Sequence, residues 1–136
     1  MILYIDDYKS VSDLQEKFTE CFPCLKIEFY DKWHHYQKPA SPEHLISAHK
    51  MIGDIRTKHE HGDLSIKSWS TVGNVERDFK HKFGLNVQIF RKDDNNWIQT
   101  SASDNFTLKE ESDMSMHAAN ERGSSINLGI HQYSAA

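Results

Sequence analysis

Two cysteines, three prolines and six glycines are all that 136 residues hold of those types. The glycines stand singly, so no G-x-x-x-x-G-K-[ST] phosphate loop can be drawn. Apolar runs stop after a few residues, far short of the ~20 that span a bilayer. The first residues, MILYIDDYKS, lack a basic stretch and meet acids at once, so they do not read as a signal peptide. There is no G-x-S-x-G elbow, no H-E-x-x-H and no second C-x-x-C. These absences predict a reduced, cytoplasmic protein with no membrane span and no cofactor.

What is present is ordinary for one globular domain: 38% hydrophobic and 26% charged residues. The net charge of −4 argues against general nucleic-acid binding, which needs a basic face for phosphates.

A repeat lies inside the chain. LYIDDYKSVSDLQEKFTECFPCLKIEFY (3–30) aligns with LSIKSWSTVGNVERDFKHKFGLNVQIF (64–90) once one residue near Cys24 is skipped. Leu3 falls on Leu64, Val11 on Val72, Leu14 on Val75, Phe18 on Phe79, Phe22 on Phe83 and Ile27 on Val87. In each copy a short alternating strand precedes a cap, Ser10 or Thr71. Asp13 stands near the positive end of the first helix dipole. Val11, Leu14, Phe18 and Phe22 form a helical apolar stripe, as do Val72, Val75, Phe79 and Phe83. Gly84 suits a left-handed helix stop, and a second strand follows.

In the second copy, KDDNN (92–96) is a turn into a further strand, WIQTS. In the first copy the corresponding turn falls near Asp31–His34, with a shorter strand after it. Ser41, Pro42 and the spacing of Leu45, Ala48, Met51, Ile52 and Ile55 predict a helix to about Thr57. DNFTLKEESDMSMHAANER, after Ser103, reads as a poorer helix. The expected fold is α+β, an internal duplication of a β-α-β-β unit with helices covering a mixed sheet. Its parts are 1–57, a polar connector at 58–63, a second unit at 64–116 and a mobile tail at 117–136. Phe18, Phe22, Phe79 and Phe83 are expected at the centre of the core.

Thr71-Val72, Phe79, Phe83-Gly84-Leu85, Phe90-Arg91-Lys92, Trp97, Thr100, Asp104 and Thr107-Leu108 together form a pattern. The segment 71–108 that carries it resembles one in uncharacterised small bacterial proteins. The resemblance implies no activity and no site residues.

CFPC, Cys21 to Cys24, could be a redox couple or half a zinc site. A thioredoxin-type pair needs a helix N-terminus, and this one falls at a helix C-terminus. Cys21 aligns with Lys82, and Cys24 is the skipped residue, so both read as flanks of the core anchor Phe22. Nine histidines offer only a weak metal candidate, His59 and His61 with His34 or His35. Arg77, Lys80, His81, Lys82, Arg91 and Lys92 read as a solvated basic face. Aromatics at strand ends point to recognition, with Trp33, Trp69, Trp97 and Tyr36, joined by Arg91, as candidate contacts.

The sequence therefore predicts a non-catalytic protein-interaction or assembly module, its partner another protein or a second copy. The alternative is a small enzyme or metal-dependent protein with a histidine/acid site between the repeats. A pocket lined by histidines would favour the enzyme, and an aromatic face beside an open sheet edge would favour the module.

Overall fold

The computed structural model describes residues 1–34 and 37–117. The same succession of strand, helix and strand occurs twice. The first half has β1 (Ile2–Ile5), α1 (Val11–Cys21) and β2 (Leu25–Tyr30). The second half has β3 (Gly62–Ser65), α2 (Val72–Phe83) and β4 (Asn86–Asp93), then β5 (Asn96–Gln99). A third helix, α3, covers 108–117 of the described chain. The fold is α+β.

Each sheet draws on both halves. β1 pairs with β3, and β2, β4 and β5 form a second sheet in that order. Every ladder is antiparallel, so the expected mixed sheet is not formed. The registers set Leu3 against Leu64 and Glu28 against Gln88. Both are pairs of residues matched in the sequence alignment.

Local chemistry explains the helices. Ser10 accepts from the Asp13 amide at 3.1 Å, and Asp13 accepts from the Ser10 amide at 2.9 Å, a full capping box. Thr71 caps α2 through the Asn74 amide at 3.2 Å. Gly84 ends α2 at φ 65°, as expected of a residue with no Cβ to clash there. A Cβ at Gly84 would also lie 2.9 Å from the Lys58 Cβ. Asp94 takes φ 60° in the turn between β4 and β5, a conformation that Asp tolerates better than most residues.

Phe18 and Phe79 are wholly buried with Leu14, Val75, Ile27 and Ile89, while Phe22 and Phe83 belong to the same core and are slightly less buried. The Phe29 ring of β2 meets Phe79 of α2 edge-on at 6.2 Å, so the core crosses between halves.

The expected helix over 41–57 is not formed. Only two short 3-10 turns appear, Pro42–His44 and Ile52–Asp54, and Ser41 makes no side-chain cap. The backbone between them has other partners. Ile46 N–H bonds Phe29 O at 2.8 Å on the edge of β2. Lys50 O and Ala48 O accept from the first amides of α1, Val11 and Ser12, at 2.9 and 3.0 Å. Those bonds require an extended chain, and of the expected stripe only Ile52 is fully buried. The second half repeats the device, since Val72 and Gly73 donate to Phe106 O and Asp104 O.

No further strand follows β2 in the first half among the described residues, so the fourth element of a β-α-β-β unit occurs only as β5. The expected connector 58–63 gives its last two residues to β3. α3 is a true helix, with Thr107 and Glu110 in reciprocal cap bonds of 2.9 and 3.0 Å. Residues 118–136, most of the expected tail, lie outside the described residues. No described helix is long and apolar enough to cross a membrane.

Candidate functional site

Two grooves run beside the two helices, at matching places in the halves. α1 lays Gln15, Glu16, Thr19 and Glu20 along the outer edge of β2. At the aligned positions α2 carries Glu76, Arg77, Lys80 and His81. The two grooves differ in what fills them.

The α2 groove is occupied by the chain itself. β5 pairs with only the last residues of β4, which leaves the β4 edge at Val87–Ile89 without a strand partner. Side chains complete it. His34 Nε2 lies 3.2 Å from Val87 O, and Glu76 Oε2 accepts from Ile89 N–H at 2.9 Å. His34 and Glu76 approach to 3.4 Å. The Trp33 ring stacks on His34 at 5.1 Å, with Lys80 Nζ 4.8 Å from its centroid. About 210 Å³ remains beside this plug.

Two acids are buried there. Glu76 is 1% exposed, and burial holds its carboxyl well above the usual range, with the nearby Asp104 adding to the effect. Burial also raises Asp104, against the Gln37 amide that bonds it at 2.8 Å. Asp104 Oδ1 has no hydrogen-bond partner among the described residues. The set can hold a proton. No serine, threonine or cysteine is among the described residues lining this pocket, so no hydroxyl or thiol nucleophile faces it, and its reactive groups are His34, His81, Lys80 and the two acids.

A carboxyl raised by burial favours folding while it stays protonated. Stability from that proton is complete below the unfolded value near ~4.3 and is lost as pH climbs toward the folded value. The slope reaches about 1.4 kcal/mol per pH unit for one proton. Glu76→Gln keeps an oxygen for Ile89 N–H and cannot ionise. The variant should match wild type near pH ~4, at or below the unfolded value, and exceed it increasingly as pH rises above that value, in urea midpoints. A gap that does not change with pH would mean that Glu76 does not titrate in this range.

The α1 groove is open, about 480 Å³ in volume. The Lys92 amide bonds Cys24 O, so the main-chain N–H and C=O groups of even-numbered β2 residues point to β4 and those of odd-numbered ones point outward. Gln15 Nε2 donates to Ile27 O at 2.9 Å and Thr19 Oγ1 to Leu25 O at 3.1 Å. No strand pairs with that stretch of edge among the described residues. The far wall is Lys26, Glu28 and Trp97. Lys26 Nζ lies 5.0 Å from the Trp97 centroid and 5.2 Å from that of Phe90.

The candidate contacts do not share one surface. Trp33 is in the filled groove, and Trp97 is in the open one. Trp69 stands in the turn before α2, 71% exposed, under Lys67. Arg91 ties β4 to α3 through Glu111 at 2.8 Å. Tyr36 and His35 lie outside the described residues. His59 pairs with Asp7 at 2.8 Å, while His34 is buried against Glu76. Among the described residues no three His, Cys, Asp or Glu side chains gather into a set that could hold a metal. Sequence reasoning passed over Gln15, Thr19, Glu76 and Asp104. Glu76 could have been found from its place between Val75 and Phe79 on the apolar face of α2.

Cys21 is the exposed last residue of α1, and Cys24 is half-buried in the turn after it. Neither packs in the core cluster. The Cys21→Ser, Cys24→Ser double variant should melt within about 2 °C of wild type, since surface changes alter stability by ~0.5 kcal/mol or less. A drop of ten degrees would show that the thiols matter to the fold.

Comparison with known proteins yields no match to a family model, to a curated protein or to a solved structure.

Proposed function

We propose that the chain is a cytoplasmic, non-catalytic interaction module, a duplicated strand–helix–strand unit that docks an extended protein segment along the outer edge of β2. One observation carries this. The α2 groove is filled by Trp33 and His34, whereas the aligned groove of α1 is open beside an edge without a strand partner. Edges of this kind accept added strands; here Gln15 and Thr19 hold the Ile27 and Leu25 carbonyls and would yield them to the incoming main chain, with side-chain pockets supplying choice. The competing reading is an enzyme with a histidine/acid site between the halves, drawing on His34, Glu76 and Asp104. Its weakness is that Glu76 is bonded to Ile89 and Asp104 to Gln37.

Selection from a displayed library of random peptides tests the proposal. Wild type should enrich peptides that Thr19→Trp, whose added ring fills the groove, does not bind. Enriched peptides that bind both proteins equally would remove the groove from the account, provided that Thr19→Trp melts as a folded protein.

A further inference from the structure

We infer that the segment taken by the α1 groove is basic and carries an aromatic side chain; this rests on the docking reading above. Three glutamates, Glu16, Glu20 and Glu28, face the groove against one lysine, Lys26. The lysine is already engaged, 3.4 Å from Glu28 and over the Phe90 and Trp97 rings. Glu16 and Glu20 are exposed and form no ion pair among the described residues. The lining of the groove therefore carries net negative charge toward whatever lies in it, with Lys17 on the other flank of Glu16 and Glu20. Such a lining steers cations inward and repels phosphate and acidic chains.

The filled groove supplies the second argument. At the positions of Glu16 and Thr19, α2 has Arg77 and Lys80, so the rim is basic in one half where it is acidic in the other. An aromatic ring, Trp33, sits in that groove, and the neighbouring His34 Nε2 lies against the strand edge at Val87 O. Val87 aligns with Ile27, whose carbonyl faces the open groove and is reached there by Gln15. A segment lying along Ile27 would meet the same helix–edge geometry. Its ring would rest against Thr19 and Trp97, and its lysines or arginines would lie between Glu16, Glu20 and Glu28. The chemistry is that of a strand-forming peptide alternating basic and aromatic or β-branched residues.

The test uses the full chain, ¹⁵N-labelled, and three peptides of one alternating sequence with a central tryptophan. Their variable positions hold lysine, glutamine or glutamate. The lysine peptide should shift the amides of Leu25–Glu28 and of Gln15–Glu20. It should bind about ten-fold tighter than the glutamine peptide at low salt, and most of that advantage should vanish at ~0.5 M salt. In the Glu16→Lys, Glu20→Lys double variant, which alters only exposed positions, the preference should pass to the glutamate peptide. Equal binding of all three at these amides would overturn the basic partner and leave the groove as a docking site. If no peptide shifts these amides at millimolar concentration, both the partner class and the docking reading fail.

Discussion

Phe79→Ala should lower stability by about 3–5 kcal/mol, through lost transfer energy and the cavity left behind. A domain of this size holds only ~5–15 kcal/mol in all, so the variant should be partly unfolded on mild heating. The position justifies the upper end of the range. Phe79 is wholly buried on α2, and its ring meets Phe29 of β2 at 6.2 Å and 85°. Truncation therefore opens the contact between the two halves as well as the packing of one helix on its strand. Phe18→Ala should cost a similar amount, with loss of the contact to Phe22 at 5.2 Å. Trp97→Ala is the contrast. Its ring is half-exposed and bounds the open groove, so it should cost less than about 1.5 kcal/mol while weakening peptide binding. Urea unfolding of the three variants settles the order. A tryptophan variant less stable than Phe79→Ala would make that ring part of the core and remove it from the docking surface.

Where residues carried their own local signal, they were legible. The caps Ser10 and Thr71 lie immediately before apolar stripes of helical period, and both caps form. Gly84 closes α2 because its left-handed backbone follows from the residue type itself. The alternating Leu25–Tyr30 became β2 with the expected ends.

The failure at 41–57 has one cause. The spacing of Leu45, Ala48, Met51, Ile52 and Ile55 suits a helix, but periodicity says nothing about who needs the backbone. The N-terminus of α1 and the edge of β2 both lacked hydrogen-bond partners, and this segment supplied them. Tertiary demand overrode local preference. At α3 the expected helix forms despite its few apolar anchors, because Thr107 and Glu110 supply a reciprocal cap. The grooves were hidden for a different reason. They depend on which of the two strand–helix–strand halves leaves its edge open, and Trp33 with His34 fills one of two places that correspond in the sequence alignment.

Arg56→Ala should be the most damaging change outside the apolar core, at about 2–4 kcal/mol. The Arg56 side chain is 0% exposed. Its Nη1 donates to Phe83 O at 2.9 Å, satisfying a carbonyl in the last turn of α2. Its Nε and Nη2 donate to Asp7 Oδ1 at 3.0 and 2.7 Å, in the loop after β1. One guanidinium thus joins the end of β1, the 52–56 segment and the C-terminus of α2. Removal leaves a helix carbonyl and a carboxylate without their donor. Arg56→Lys should recover part of the loss, since one ammonium cannot serve both oxygens with the geometry of a planar fork. The Arg56 guanidinium holds the Asp7 carboxyl below its ordinary range, with His59 adding to it. That contribution is present above the unfolded value of ~3.9 and is lost as pH falls through the folded one, so Asp7→Asn should hurt more at neutral pH than near pH ~3. His59→Ala, at a half-exposed ring 2.8 Å from the other Asp7 oxygen, should be nearly silent. If Arg56→Ala unfolds within ~0.5 kcal/mol of wild type, water replaces the guanidinium at Phe83 O without loss. The halves would then be held together by the apolar contact of Phe29 with Phe79 and by the two shared ladders, and not by this ion pair.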